Sequence, residues 1–291
     1  MAISYITMLP PLPPRPEQGN KGTFGKVLIV AGSRGMSGAA CLSGLGALRG
    51  GAGLVTVAVP SGILPIVAGM EPSYLTVPLA EDSSGRIGAA ASREILELAS
   101  SNTVVACGPG WGRSADLQNL ALTLYTQLPQ PLVIDADGLN ALSRLSGGLP
   151  TTDIPGPRVL TPHPGEFARL IGSDAATVQQ DRETLAVEFA AKHNVILLLK
   201  GHETVITDGA RVAINTTGNS GMGTGGTGDV LTGLISALLG QGFAPFEAAQ
   251  LGAHLHGLAG DLAASELTRP GLIASDLPRF IPAAWKQIGA T

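Results

Sequence analysis

Residues Lys26–Arg49 read KVLIVAGSRGMSGAACLSGLGALR. An apolar, β-branched run ends at a glycine, a turn rich in glycine and serine follows, and small residues then recur from Ala39 to Arg49 at helical spacing. That is a strand, a loop and a helix. The alternation continues, with strands predicted at LVTVAV (54–59), YLTVPL (74–79), TVVACG (103–108), LVIDAD (132–137), RVLTP (158–162) and VILLLK (195–200). Helices are predicted near 89–99, 116–128 and 176–193. Strands apolar on both faces and separated by helices belong to a parallel sheet covered on both sides. TVIT and RVAIN flank Asp208-Gly209 and predict an antiparallel hairpin, so the sheet is mixed. Helices near 228–239, 245–267 and 275–288 complete the pattern. The fold class is α/β, a three-layer α/β/α sandwich around a mostly parallel sheet.

The proline-rich stretch LPPLPPRPEQGNKG (9–22) suits neither a helix interior nor a central strand, so residues 1–20 are expected to form an extended arm. No long Ser/Gly/Pro linker follows, and residues 21–291 are expected to form a single domain. With 44% hydrophobic and 14% charged residues, the 291-residue chain has the apolar material for a sizeable core. Eighteen Lys and Arg stand against 22 Asp and Glu, without a basic run, which argues against a nucleic-acid partner. No segment carries 18 uninterrupted apolar residues, so no membrane partner is expected. Cys41 and Cys107 lack CxxC spacing and an export signal is absent, so a reducing, cytoplasmic location is expected.

Glycine is over-represented, at 40 residues, and the place to look is GNSGMGTGGTGDVLTGL (218–234). A glycine loop feeding a helix exposes unpaired N–H groups at the positive end of the helix dipole, which suits phosphate. Asp229 would lie in the first turn. GSRGMSG after the first strand departs from the dinucleotide GxGxxG pattern, and Gly25-Lys26 is no Walker A loop. CGPGWG (107–112) is a second loop where backbone could meet a ligand. TPHPGE (161–166) puts His163 and Glu166, and VIDADGLN (133–140) puts Asp135, Asp137 and Asn140, beyond strand ends at one sheet edge, a setting for Mg²⁺ and phosphate. Lys200-Gly201 follows another strand. His254 and His256, two apart on a helix, face different directions and are not expected to share a metal.

Together these motifs, in this order over Lys21 to about Leu277, resemble the ADP- or ATP-dependent NAD(P)H-hydrate dehydratases, which have a ribokinase-like fold. KGTFGKVLIVAGS, CGPGWG, DADGLNAL, TPHPGE, LLKGHETVI and GNSGMGTGGTGDVLTGLI carry the resemblance. It implies dehydration of the S-epimer of NAD(P)H hydrate to NAD(P)H, with ADP or ATP as co-substrate, Mg²⁺ as cofactor, and a homotetramer. It makes Asp229 the catalytic base and a substrate contact, with Ala40, Gly110 and His163 lining the hydrate pocket. Lys200, Gly201, His202, Glu203 and Thr204 would meet the nucleotide, as would Gly225, Gly226, Thr227 and Gly228 of the glycine loop. Glu166 would tune the metal site indirectly. A helix N-terminus stabilises a carboxylate and weakens it as a base, so Asp229 is expected mainly to orient the reacting oxygen. The competing readings are a ribokinase-like kinase of a vitamin alcohol or sugar, which needs the same loop and base, and a nucleotide-sensing module, which needs no base.

Overall fold

The structure is a computed structural model and describes residues 3–151 and 154–290. Its ten strands are β1 Ser4–Tyr5, β2 Lys26–Val30, β3 Leu54–Pro60, β4 Leu75–Leu79, β5 Val104–Cys107, β6 Leu132–Ile134, β7 Arg158–Leu160, β8 Ile196–Leu199, β9 Thr204–Thr207 and β10 Arg211–Asn215. They form one sheet in the order β1-β10-β9-β8-β7-β6-β5-β2-β3-β4. Only β9 runs against the others, because both its neighbours pair with it antiparallel. The strand order reverses between β2 and β5, which opens a crevice beyond their carboxyl ends.

Among the described residues eleven α-helices cover the sheet: α1 Ser37–Arg49, α2 Leu64–Ala68, α3 Ala91–Ser100, α4 Ala115–Gln127, α5 Asp137–Leu142, α6 Pro164–Ile171, α7 Ala175–Gln180, α8 Arg182–His193, α9 Thr227–Gly240, α10 Pro245–Leu267 and α11 Leu277–Gln287. Alternate residues of β2 divide the core. Val27 and Ile29 pack with residues of α1, α9, α10 and α11, whereas Leu28 and Val30 pack with α3, α4, α5, α6 and α8. Three layers result, because every central strand must hide both faces. The contact between α1 and α9 is backbone to backbone. A methyl added at Gly233 would lie 1.9 Å from the Ser43 carbonyl oxygen, and one at Gly46 would lie 2.2 Å from that of Val230. These glycines fix where α9 begins relative to the sheet.

Several elements depart from the sequence expectations. The segment expected as one helix over 176–193 is two, α7 and α8, broken at Asp181. TPHPGE and DADGLN do not remain loops. Both start short helices, α6 and α5, whose few residues give no clear 3.6-residue period. The stretch expected as an extended arm, ahead of its prolines, also supplies β1, which pairs parallel with β10 where no central hydrogen bonding is needed. Further along, Arg15 stacks over the Phe24 ring, its carbon 3.7 Å from the centroid, and donates to the Gly51 carbonyl. KGTFGK leads into the amino end of β2, with Gly25 against Gly240 at the far end of α9. It therefore stands at the opposite sheet edge from the glycine loop. Among the described residues no helix is long and apolar enough to cross a membrane.

Candidate active site

The glycine loop enters α9 through Gly226, whose φ of +97° only glycine adopts without strain. Thr227, Gly228 and Asp229 form the first turn. The loop is held from α10. Asp261 accepts from the Gly218 N–H at 2.8 Å and from Asn219 Nδ2 at 2.9 Å, and Thr217 Oγ1 donates to the His254 carbonyl at 2.9 Å. His256 Nε2 stands 2.9 Å from the Thr227 carbonyl oxygen. Burial keeps this imidazole neutral, pulling it down to about 4. His254 and His256 thus hold the loop by separate contacts, one through its backbone and one through its ring.

A cleft of about 590 Å³ lies beside this loop, within the size range of small-molecule sites. Its wall includes Lys200, Gly201, His202, Glu203 and Thr204 from the β8–β9 turn and Thr227 and Gly228 from α9. Gly225 and Gly226 belong to the same loop but not to that wall. The β8–β9 turn has a clamp that sequence reading missed: Arg182 donates to the carbonyls of His202 at 2.9 Å, Leu199 at 3.0 Å and Lys200 at 3.3 Å. A surface-helix arginine gives no signal of such a task in sequence.

Behind the turn, Lys200 Nζ donates to Asp135 Oδ1 at 2.7 Å, and Thr232 Oγ1 donates to Asp135 Oδ2 at 2.9 Å. Asp135 is 1% exposed, so strand β6, strand β8 and helix α9 are tied together by one buried carboxylate. The next residue, Ala136, has φ +52° and ψ −118°, a strained backbone of the kind that concentrates at functional sites. It turns Asp137 away toward the Gly112 N–H at 2.8 Å. Asn140 donates to Asp137 and accepts from Arg169, so it belongs to that flank.

The Asp229 side chain makes no hydrogen bond among the described residues. Burial first, and then the Asp135 carboxylate, push it up to about 7, against the opposing pull of Lys200. Burial thus acts against the weakening expected from the helix end. His163 caps α6, its Nδ1 accepting from the N–H groups of Gly165 at 3.0 Å and Glu166 at 3.3 Å. Glu166 returns a bond by accepting from the His163 N–H at 2.9 Å. Both residues are thus engaged in a capping box, and burial raises the Glu166 carboxyl. Gly110 abuts the first loop, where Ser33 Oγ donates to its carbonyl at 2.8 Å. Ala40 does not line an open wall: it is fully buried in the core, and Gly38 and Ala39 are the more exposed residues of that turn. Ala40, Gly110, His163 and Asp229 all lie outside the cleft wall.

No three His, Cys, Asp or Glu side chains among the described residues gather into a cation cage. Both Asp135 oxygens are engaged, by Lys200 and Thr232, and Glu166 is engaged by His163, so a hard cation at this edge would be carried mainly by phosphate and water.

Fold and site together define a ribokinase-like α/β protein, with its glycine loop and a raised carboxyl beyond the carboxyl ends of a parallel sheet. The NAD(P)H-hydrate dehydratase family model matches residues 27–283, and the chain belongs to that family. It is 47% identical over 266 residues to the bifunctional NAD(P)H-hydrate repair enzyme Nnr of Moorella thermoacetica, a match covering 91% of this chain and 50% of that protein. The chain thus spans about half the length of such bifunctional relatives. An ADP-dependent (S)-NAD(P)H-hydrate dehydratase of Neisseria meningitidis is 37% identical over 271 residues, covering 90% of this chain and 85% of its own. The ADP/ATP-dependent NAD(P)H-hydrate dehydratase of Bacillus subtilis, co-crystallised with ATP/Mg²⁺, overlays with a TM-score of 0.81 at 31% identity, covering 95% of this chain and 94% of that one.

Proposed function

We propose that the chain dehydrates the S-epimer of NAD(P)H hydrate, using ADP or ATP to turn the hydrate hydroxyl into a leaving group. The observation that carries this reading is Asp229: an unbonded carboxyl, raised to about 7, in the first turn of the glycine-loop helix. A base poised near the working pH is matched to abstracting a hydroxyl proton.

The hydrate carries its hydroxyl on the ring carbon beside the ring nitrogen, and hydroxide leaves poorly at neutral pH. Asp229 orients that hydroxyl and takes its proton as the oxygen bonds to the terminal phosphorus of the nucleotide. The bond from phosphorus to the bridging oxygen breaks, releasing AMP from ADP or ADP from ATP. The N–H groups of the glycine loop stabilise charge on the transferring group. The nitrogen lone pair then expels phosphate as the C–O bond breaks, and loss of a proton from the adjacent carbon restores the double bond. Mg²⁺, when bound, would neutralise phosphate charge, with Glu166 tuning its site indirectly.

In this reading Lys200–Thr204, Thr227 and Gly228 contact the nucleotide, with Gly225 and Gly226 shaping the same loop. Ala40, Gly110, His163 and Asp229 make up the hydrate side, and residues 21–291 act as one domain. Two buried free thiols support a reducing, cytoplasmic setting. Exposed Ile66, Met70 and Leu75 on and near the sheet-edge strand β4 support self-association, for which we retain the homotetramer. A vitamin-alcohol or sugar kinase would use the same loop and base, but the family match speaks against it. Product analysis tests the choice: inorganic phosphate and NAD(P)H support dehydration, whereas a stable phosphorylated acceptor would overturn it.

A further inference from the structure

We infer that Arg269 binds the phosphates of the nucleotide, an inference that rests on the reading of the cleft as a nucleotide site. The cleft wall contains two basic side chains of fixed charge, Lys200 and Arg269. The Lys200 ammonium is already committed to Asp135 at 2.7 Å. The Arg269 side chain has neither an ion pair nor a hydrogen bond among the described residues. A nucleoside diphosphate brings several negative charges into this wall, and a planar guanidinium is the side chain best shaped to pair with phosphate oxygens.

The backbone around Arg269 is that of a placed residue. Helix α10 ends at Thr268 with φ +70° and ψ +156°. A β-branched residue there is strained, since that region is occupied almost solely by glycine, and such strain concentrates at ligand clamps. Pro270 follows directly and confines Arg269 to extended backbone. The glycine loop then seats on it: a methyl at Gly221 would lie 2.6 Å from the Arg269 carbonyl oxygen and 2.9 Å from its Cα. Asn219, two residues earlier, is tied back to Gly260 and Asp261 of α10. The end of α10 and the loop lining the cleft therefore hold each other, and the free guanidinium is carried on that junction.

The test is calorimetric titration of wild type, Arg269→Gln and Arg269→Lys with adenosine, AMP and ADP at fixed salt. A phosphate contact makes Arg269→Gln lose roughly tenfold or more in ADP affinity, less in AMP affinity and little in adenosine affinity, with Arg269→Lys in between. A merely structural arginine would weaken all three ligands alike. That result, or wild-type ADP affinity in folded Arg269→Gln, would overturn the inference. Wild-type protein binding none of the three would overturn the nucleotide reading itself, and the inference with it.

Discussion

Lys200 Nζ lies 2.7 Å from Asp135 Oδ1, and this ion pair stands beside the first turn of α9: a methyl at Gly228 would lie 3.1 Å from that nitrogen. Its effect on Asp229 is indirect. Paired with Asp135, the lysine brings the local charge near zero, so desolvation decides the Asp229 carboxyl and holds it about 7.

The pH profile is expected to follow from this. Asp229 must be ionised to take a proton, so kcat/KM should fall as pH drops through about 7. Asp135→Asn removes a like charge and frees Lys200, and both changes lower the Asp229 carboxyl. The acid limb should move to lower pH, while an unmoved limb would detach Asp135 from the base.

Asp229→Asn should abolish turnover by a factor on the order of 10² to 10⁴ while leaving ADP affinity near wild type. It should also stabilise the fold at high pH. A carboxyl raised in the folded state contributes stability that is complete below its unfolded value near ~4 and is lost as pH rises through the folded value. Asparagine suffers no such loss. At pH above 8 the variant's Tm should exceed wild type by a few degrees, and near pH 4 the difference should vanish; thermal scans at both values measure it.

Gly233→Ala should disturb both stability and activity. The added methyl would meet the Ser43 carbonyl at 1.9 Å, backbone that cannot step aside as a side chain can. Overpacking of this kind costs about 1–3 kcal/mol, and spreading α1 from α9 shifts the turn that carries Gly228 and Asp229. Denaturant melts and kcat should fall together; loss of stability with unchanged kcat would show that helix spacing does not set the site.

Arg158→Met should destabilise the protein without touching catalysis. The guanidinium is buried, and it donates to the carbonyls of Tyr125, Leu128, Gln130 and Pro157, gathering the end of α4 onto β7. Orphaned buried acceptors cost about 1–3 kcal/mol each, so a loss of several kcal/mol is expected in urea unfolding. Residual activity per folded molecule should match wild type.

The alternation of apolar runs and small-residue helices made the layered sheet legible, because both periods are written in neighbouring residues. The glycine loop with Asp229 was legible for the same local reason. The short helices after His163 and Ala136 were not, since a helix of six or eight residues barely spans two turns. Nor were the Arg182 clamp, the Asp135–Lys200 pair and the α10 staple at Asp261. Each joins residues distant in sequence, and Asp135 and Lys200 are 65 positions apart. At Ala40 the motif gave the turn, while the 3.6-residue period that sends its side chain into the core was not read.

The most direct measurement follows the absorbance of the reduced nicotinamide while hydrated NADH is incubated with wild type or Asp229→Asn, with ADP, ATP or neither. Absorbance should return only with wild type and a nucleotide, with one inorganic phosphate released per NADH formed. Absorbance restored without nucleotide, or by Asp229→Asn at the wild-type rate, would contradict phosphoryl transfer through Asp229.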